Sequence, residues 1–370
     1  MKKSLVALAA LAFVGVASAQ SSVTLFGVLD AGVTHFNSSG GSVTKFDTSG
    51  LSSSQLGFRG TEDLGGGMSA NFWLEAALVN GSGMGSGSGN GATGGGLAFG
   101  RRSTVSLAGN FGEVRLGREY TPSFWNQTVF DPFGTLGVGA GSNLTCLGAG
   151  GAAGKYDCAR ANNSISYLWG FAPNGTSAVG SGLYAQLMYA LPGNTSNTPS
   201  IGQYTGGRIG YANGPLNVAL SYAQSHGTPY APDAAAGYST YKETDLAGSY
   251  NIGVANLMAH YTQNNSDVDG TKFTNWGLGA TINAGPGYIP ISYNRANVND
   301  ATGDSANQYA IGYVYNLSKR TALYAAVSHI SNNNNANVNF AGGNGGGASP
   351  VSMAAGGSGT GYQVGMKTSF

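Results

Sequence analysis

The chain has 370 residues, of which 9% are charged, and its 17 basic and 16 acidic side chains give a formal net charge of +1. Glycine contributes 63 residues, tyrosine contributes 20, and the mean hydropathy is −0.07. Repeated apolar runs of about 20 residues are missing, which excludes a polytopic helical membrane protein. The glycine content excludes a long coiled coil. A pI of about 7.7 without a basic run argues against nucleic-acid binding.

The N terminus has the features of an export signal. Two lysines precede an apolar stretch at residues 5–16, and Ala-Ser-Ala at positions 17–19 supplies the small residues preferred at a cleavage site. We expect residues 1–19 to be a signal peptide and residues 20–370 to form one domain. The alternative is an N-terminal core helix or anchor.

The two cysteines, Cys146 and Cys158, are separated by 11 residues. An exported chain meets an oxidising compartment, so we expect a disulfide between them, with free thiols as the alternative. The cysteines and four scattered histidines offer no cluster of metal ligands, and no cofactor is expected.

Apolar and polar residues alternate through the remaining chain with the period of two that predicts β-strands. In residues 216–223, for example, Leu, Val, Leu and Tyr alternate with Asn, Ala, Ser and Ala. Seven short, turn-rich links and eight long polar stretches separate the alternating segments, which predicts sixteen strands. The long stretches include residues 36–51, 119–161 and 331–358.

The composition of the second strand face indicates the environment of the sheet. This face carries Gly, Ser, Asn, Thr and Gln with few charges, as the water-facing side of a transmembrane β-barrel does. A bilayer offers an open sheet edge no hydrogen-bond partner, so the first and last strands must pair. We therefore predict an all-β, 16-stranded antiparallel transmembrane β-barrel, which is wide enough to enclose an aqueous channel. Aromatic residues predicted at the membrane interfaces are Tyr189, Tyr211, Tyr222, Tyr250, Tyr261, Tyr293, Tyr315 and Phe370.

The longest predicted loop, residues 119–161, is unusually apolar for a loop in water. It contains Phe124, Trp125, Phe130 and Phe133, which suits a third external loop that folds into the lumen and narrows it. An ordinary surface loop is the alternative.

Arginine is concentrated beside this loop, because six of the nine arginines lie between residues 59 and 160. Strand parity places Arg59, Arg102 and Arg115 inside the barrel, while Arg118 and Arg160 flank the long loop. Acids predicted to face these arginines are Glu75, Glu113, Glu119, Asp131 and Asp157. Opposed rings of charge filter ions, although the same charges could simply be solvated in a wide lumen. The predicted pore constriction comprises Arg59, Arg102, Arg115, Arg118, Arg160, Glu75, Glu119 and Asp131.

A series of motifs occurs in order along the chain. They are SVTLFGVLDAG at 22–32, LGFRGTEDLGGG at 56–67, GEVRLGR at 112–118, DPFG at 131–134, YNLSKRT at 315–321 and a terminal strand ending in Phe370. With these motifs the chain resembles the trimeric general porins of Gram-negative bacteria, in their β-proteobacterial branch, over essentially the whole mature length. The resemblance implies a homotrimer in the outer membrane with one pore per subunit. It also implies that Arg59, Arg102 and Arg160 lie near the constriction.

The terminal strand resembles the signal that the outer-membrane barrel assembly machinery recognises. Apolar residues occupy every second position at Tyr362, Val364 and Met366, and the chain ends on Phe370. The expected partners are therefore the assembly machinery, outer-membrane lipid, further copies of the chain, and small ions and solutes, without nucleic acid.

Passive diffusion of small hydrophilic solutes and ions is the predicted function, with weak anion selectivity through an arginine-rich constriction, as some similar porins have. A solute-specific channel is one alternative, although only Trp73 and Tyr184 are inward aromatics by parity. An adhesive or structural barrel with an occluded lumen is another. An outer-membrane hydrolase would need a catalytic triad, and none is visible, so no enzyme activity is expected.

Overall fold

The computed structural model describes residues 22–86, 96–145, 159–193, 202–226, 240–267, 270, 272–299, 302–340 and 351–370. No helix in this part of the chain is long and apolar enough to cross a membrane. The strands are β1 (Ser22–Ser38), β2 (Gly41–Thr48), β3 (Gln55–Gly65), β4 (Met68–Val79), β5 (Met84–Ser86), β6 (Arg102–Gly109), β7 (Gly112–Tyr120), β8 (Arg160–Trp169), β9 (Gly182–Ala190), β10 (Gln203–Asn213), β11 (Leu216–His226), β12 (Thr240–Asn251), β13 (Ala255–Ser266), β14 (Lys272–Ala284), β15 (Gly287–Asn299), β16 (Ser305–Asn316), β17 (Thr321–Asn333) and β18 (Ser358–Ser369). One α-helix, α1 (Pro122–Val129), and one 3₁₀ helix, Gly141–Leu144, lie between β7 and β8.

These strand segments, counted over the described residues, occupy sixteen positions around a closed antiparallel barrel. Strands β2 and β3 both pair with β1, β2 along residues 31–38 and β3 along residues 22–28, so they form one interrupted strand. Strands β5 and β6 pair with β4 in the same way. Pairing of β1 with β18 closes the barrel and confirms the predicted fold.

The C-terminal residue takes part in this closure. The backbone N–H of Phe370 donates to the carbonyl oxygen of Gly27 at 3.0 Å, and the N–H of Gly27 donates back at 3.1 Å. The ring of Phe370 occupies the space that a Cβ at position 27 would need. Glycine is therefore required there for the terminal ring to lie against β1.

The strand faces separate as the alternation predicts. Leu220 is 45% exposed on the outside of β11, whereas its neighbour Ser221 is 1% exposed on the inside. Trp73 and Tyr184 are buried inside the barrel, in agreement with their parity. On β18 the outward apolar residues Tyr362, Val364 and Met366 are exposed, and so is the terminal Phe370 that follows the strand. The barrel thus presents an apolar outer surface and a polar lumen.

Two predicted long loops differ from expectation. Residues 36–51 were expected to be irregular, but β1 and β2 form a hairpin in which Ser38 pairs with Gly41. The prediction fails because a polar segment above the bilayer can continue the strand ladder. In residues 331–358, Val338 and Phe340 are buried in an apolar cluster with Phe36 and Ile330. Part of this last loop therefore packs against the inner surface of the barrel.

Replacing Leu220 by arginine is expected to lower the free energy of unfolding by about 2–4 kcal/mol, the cost of a basic side chain near the bilayer midplane. Urea titration of the barrel refolded in lipid vesicles measures this change. The matched control is Leu317→Arg, because Leu317 is 55% exposed in the turn between β16 and β17. If the two variants lost equal stability, the outward assignment of β11 would be wrong.

Candidate functional site: a basic pore constriction

The loop between β7 and β8, residues 121–159, is called here the constriction loop, and the structure describes all of it except residues 146–158. It begins with α1, whose N-cap is Thr121; the Thr121 hydroxyl accepts the backbone N–H of Phe124 at 3.3 Å. Proline in the first helical turn suits the fixed backbone angle required there. The sequence therefore starts a helix immediately after the strand ends.

The wall of β9–β12 supports this helix. The amide of Gln127 donates to Glu243 on β12 at 2.7 Å, and the amide of Asn126 donates to the backbone oxygen of Ala219 on β11 at 3.3 Å. Phe130, just after the helix, is 1% exposed and packs with Tyr184 of β9. The loop therefore lies inside the lumen against one side of the barrel, as predicted.

Asp131 holds the turn that follows α1. Its carboxylate accepts backbone N–H groups from Phe133 at 2.9 Å, Thr135 at 2.9 Å and Gly141 at 2.8 Å. Burial raises the pKa of the Asp131 carboxyl, because desolvation outweighs the effect of these three donors, which favour the charged form. Asp131 therefore positions the loop, and the prediction that its carboxylate faces the pore arginines is wrong.

A cavity of about 590 Å³ separates the constriction loop from the opposite wall. The loop contributes Phe124, Trp125, Thr128, Gly134, Thr135, Leu136 and Ala159 to its lining, and no charged side chain among the described loop residues takes part. The barrel wall contributes Arg59, Trp73, Glu75, Arg101, Arg102, Arg115, Tyr120 and Arg160. One side of the cavity is therefore rich in arginine, and the loop surface that faces it is uncharged.

The barrel side is called here the arginine wall, and it consists of Arg59, Arg101, Arg102, Arg115 and Arg160. The guanidinium groups of Arg59 on β3 and Arg102 on β6 both lie over the ring of Trp73. Their central carbons are 5.2 Å and 4.3 Å from the ring centroid, respectively. Such cation–π contacts hold an arginine without neutralising its charge. Within the described residues, neither Arg59 nor Arg102 forms an ion pair, so both present a net positive charge to the lumen.

Tyr120, at the end of β7, joins two further arginines. Its hydroxyl oxygen accepts an N–H from Arg101 at 2.7 Å and one from Arg160 at 2.6 Å. The guanidinium of Arg160 also lies 4.2 Å from the centroid of the Tyr120 ring. Arg101, whose parity is that of outward-facing residues, reaches the lumen because it precedes the ladder of β6.

The glutamates lie on the arginine wall itself, not opposite it. Glu75 pairs with Arg101 at 2.6 Å, and Arg115 lies between Glu113 at 2.8 Å and Glu119 at 3.3 Å. The predicted transverse field between basic and acidic walls is therefore incorrect. Five arginines and three glutamates share one wall, which leaves that wall positive.

Arg118 is a correction to the predicted constriction set. It lies three residues from Arg115 and so projects from the other face of β7, where it donates to the backbone oxygen of Gly100 at 2.7 Å and to Asn162 at 2.6 Å. It does not line the cavity. Arg118 was assigned to the constriction because it precedes the loop in sequence. Strand parity alone predicts that its side chain lies outside the barrel.

Three predicted residues lie outside the described part of the chain, and one cavity-lining arginine was not predicted. Cys146, Cys158 and Asp157 lie outside the described residues, so the disulfide stays a prediction. Sequence analysis missed Arg208 of β10, which lines the cavity. Its inward parity, opposite to that of the outward-facing Ile209, was a signal that could have identified it.

A closed barrel with a polar lumen, an apolar outside and an inward constriction loop defines a membrane diffusion channel. The profile of the Gram-negative porin family matches residues 5–335. The chain therefore belongs to the Gram-negative porin family, as the motifs predict. It is an outer-membrane porin, a channel and not an enzyme.

Individual relatives support the same assignment. Outer membrane porin protein 32 of Delftia acidovorans is 40% identical, with both chains covered completely. An outer membrane porin protein of Bordetella pertussis is 30% identical over 90% of this chain and 95% of that protein. The solved structure of the anion-selective porin from Comamonas acidovorans has a TM-score of 0.77 and 36% identity, covering 95% of this chain and all of that one.

Proposed function

We propose that the pore conducts small hydrophilic solutes and ions with a preference for anions. The observation that carries this proposal is the asymmetry of the constriction, where the arginine wall faces an uncharged loop surface. Fixed positive charge beside a narrow water-filled passage raises the local anion concentration and lowers that of cations. The solved porin described above as anion-selective supports the same sign.

Arg59 and Arg102 would form the centre of the permeating surface, because neither is held in an ion pair by Glu75, Glu113 or Glu119. Arg160, stacked on Tyr120, would extend that surface toward the constriction loop. The remaining charged residues would have supporting roles, Arg115 and Glu119 as part of an ion-paired group with Glu113, and Glu75 as the partner that orients Arg101. The filter is thus smaller than the full set of charged residues around the pore.

The zero-current potential of the purified protein in a planar bilayer under a KCl gradient tests this proposal. We expect stepwise conductance and a potential of the sign that chloride permeation produces. A potential of the opposite sign would contradict the anion preference while leaving a porin. Absence of conductance from folded protein would instead support a barrel with an occluded lumen.

We further propose a homotrimer, export through a signal peptide at residues 1–19, and one barrel domain over residues 20–370. The apolar, exposed outer surface offers area for both lipid and neighbouring subunits. The exposed alternation of β18, ending on Phe370, would be accessible to the barrel assembly machinery before closure. A disulfide between Cys146 and Cys158 would shorten the effective length of the constriction loop.

A further inference from the structure

Arg208 lies on the lumen wall away from the arginine wall. It belongs to β10 and is 2% exposed, and its Nη2 donates to the backbone oxygen of Ala178 in the turn that joins β8 to β9. Its guanidinium also lies over the rings of Tyr184, at 5.4 Å, and Phe171, at 5.8 Å. These contacts fix the group in place without an acid.

The remaining donors of this arginine have no acceptor in the described part of the protein. Both Nε and Nη1 of Arg208 are buried and without a hydrogen-bond partner. The same holds for Nε2 of Gln186, which is 1% exposed and directly opposite Arg208 in the β9–β10 ladder. Side chains of directly paired residues on one face lie about 5 Å apart at Cβ. Three donor groups therefore converge on one patch of wall.

The surroundings contain no counter-charge in contact with this patch, as far as the described residues extend. Ser221, the residue paired with Arg208 on its other side, also has a buried hydroxyl without a partner among those residues. The nearest acid along the row, one strand beyond Ser221, is Asp245, which interacts electrostatically with Arg208 without forming an ion pair. Both carboxylate oxygens of Asp245 are buried and also have no hydrogen-bond partner among the described residues. A buried cation with unused donors is costly unless an anion or water satisfies it. Arg208 and Gln186 both line the constriction cavity, which gives such a species access.

We propose that Arg208 and Gln186 form a second anion subsite, which binds one small anion of the size of chloride or a carboxylate group. It lies beneath the turn at residues 170–181, whose Thr176, Ser177 and Ala178 also line the cavity, and so toward the short-turn end of the barrel. An anion leaving the arginine wall would pass to this subsite before exit, and several weak sites in series permit fast conduction. The inference rests on the proposed function only in assigning this role in transport.

Single-channel conductance measured against KCl concentration tests the subsite. Loss of a charged hydrogen-bond donor weakens binding by about tenfold, so Arg208→Gln should raise the half-saturating chloride concentration by about that factor. Gln186→Leu, which keeps the charge, should raise it by a smaller factor. The control is Arg320→Gln, which removes an equal charge from an exposed turn. Equal half-saturation in all four proteins would overturn the proposal.

Anomalous diffraction from bromide tests whether an anion occupies the subsite, independently of ion transport. Crystals of the folded porin soaked in bromide should show an anomalous peak beside Arg208 and Gln186 that is lost in Arg208→Gln. Density for water alone, without an anomalous peak, would refute the subsite. A cation-favouring zero-current potential together with a bromide peak would contradict the proposed function and leave the subsite standing.

Discussion

Replacing Arg59 and Arg102 together by alanine is expected to abolish the anion preference of the pore, because the arginine wall then carries three arginines and three glutamates. Two unit charges about 7 Å apart interact by roughly 0.6 kcal/mol in water, so two arginines raise the local anion concentration by about eightfold. Cations are depleted by a similar factor. The ratio of chloride to potassium permeability should therefore fall by at least about tenfold. Zero-current potentials under a KCl gradient provide the measurement.

A control with the same charge change separates the lumen from the rest of the surface. Arg118 lies on the outer face of β7 and Arg320 lies in an exposed turn, so alanine at both positions removes two charges without touching the cavity. This control should keep the wild-type permeability ratio. A similar shift in both double variants would show that overall charge, and not the arginine wall, sets the selectivity.

The sequence predicts the barrel well because lipid and water impose opposite demands on the two faces of each strand. Alternation therefore indicates both the strands and the direction of each side chain, as for Leu220 and Ser221. It also predicts the inward direction of Arg59 and Arg115. The same rule would have placed Arg118 outside, three residues from Arg115, had it been applied without regard to the adjacent loop.

The sequence is less informative about contacts between strands and loops. The pairing of Glu75 with Arg101 depends on a residue just outside the β6 ladder, which parity cannot orient. Asp131 carries no signal that distinguishes a pore acid from one that accepts three backbone N–H groups of its own turn. The buried part of the last loop depends on apolar contacts with Phe36 of β1, far away in sequence.

Arg115 should be more important for folding than for selectivity. It is 6% exposed and lies between Glu113 and Glu119, which are 2% and 3% exposed. Arg115→Ala leaves two buried carboxylates without their shared cation, and breaking a buried ion pair on one side costs about 3–5 kcal/mol. We expect the midpoint of urea unfolding in lipid vesicles to fall accordingly. The group of Arg115, Glu113 and Glu119 carries a net charge of −1, and Arg115→Ala takes it to −2. The zero-current potential of the folded fraction should therefore shift toward cations, by less than in the Arg59 and Arg102 double variant, which removes two charges.

A charge-free variant distinguishes lost pairing from lost packing. Combining Arg115→Met with Glu113→Gln and Glu119→Gln removes all three charges while keeping side chains of similar volume. Replacing a complete buried ionic group in this way is often neutral or stabilising. Stability should therefore return toward that of the wild type, although Glu113→Gln also weakens the contacts that Glu113 accepts from Ser106 at 2.7 Å and from the backbone N–H of Asn174 at 3.1 Å. If the triple variant were as unstable as Arg115→Ala, the contribution of Arg115 would lie in the shape of its side chain and not in its charge.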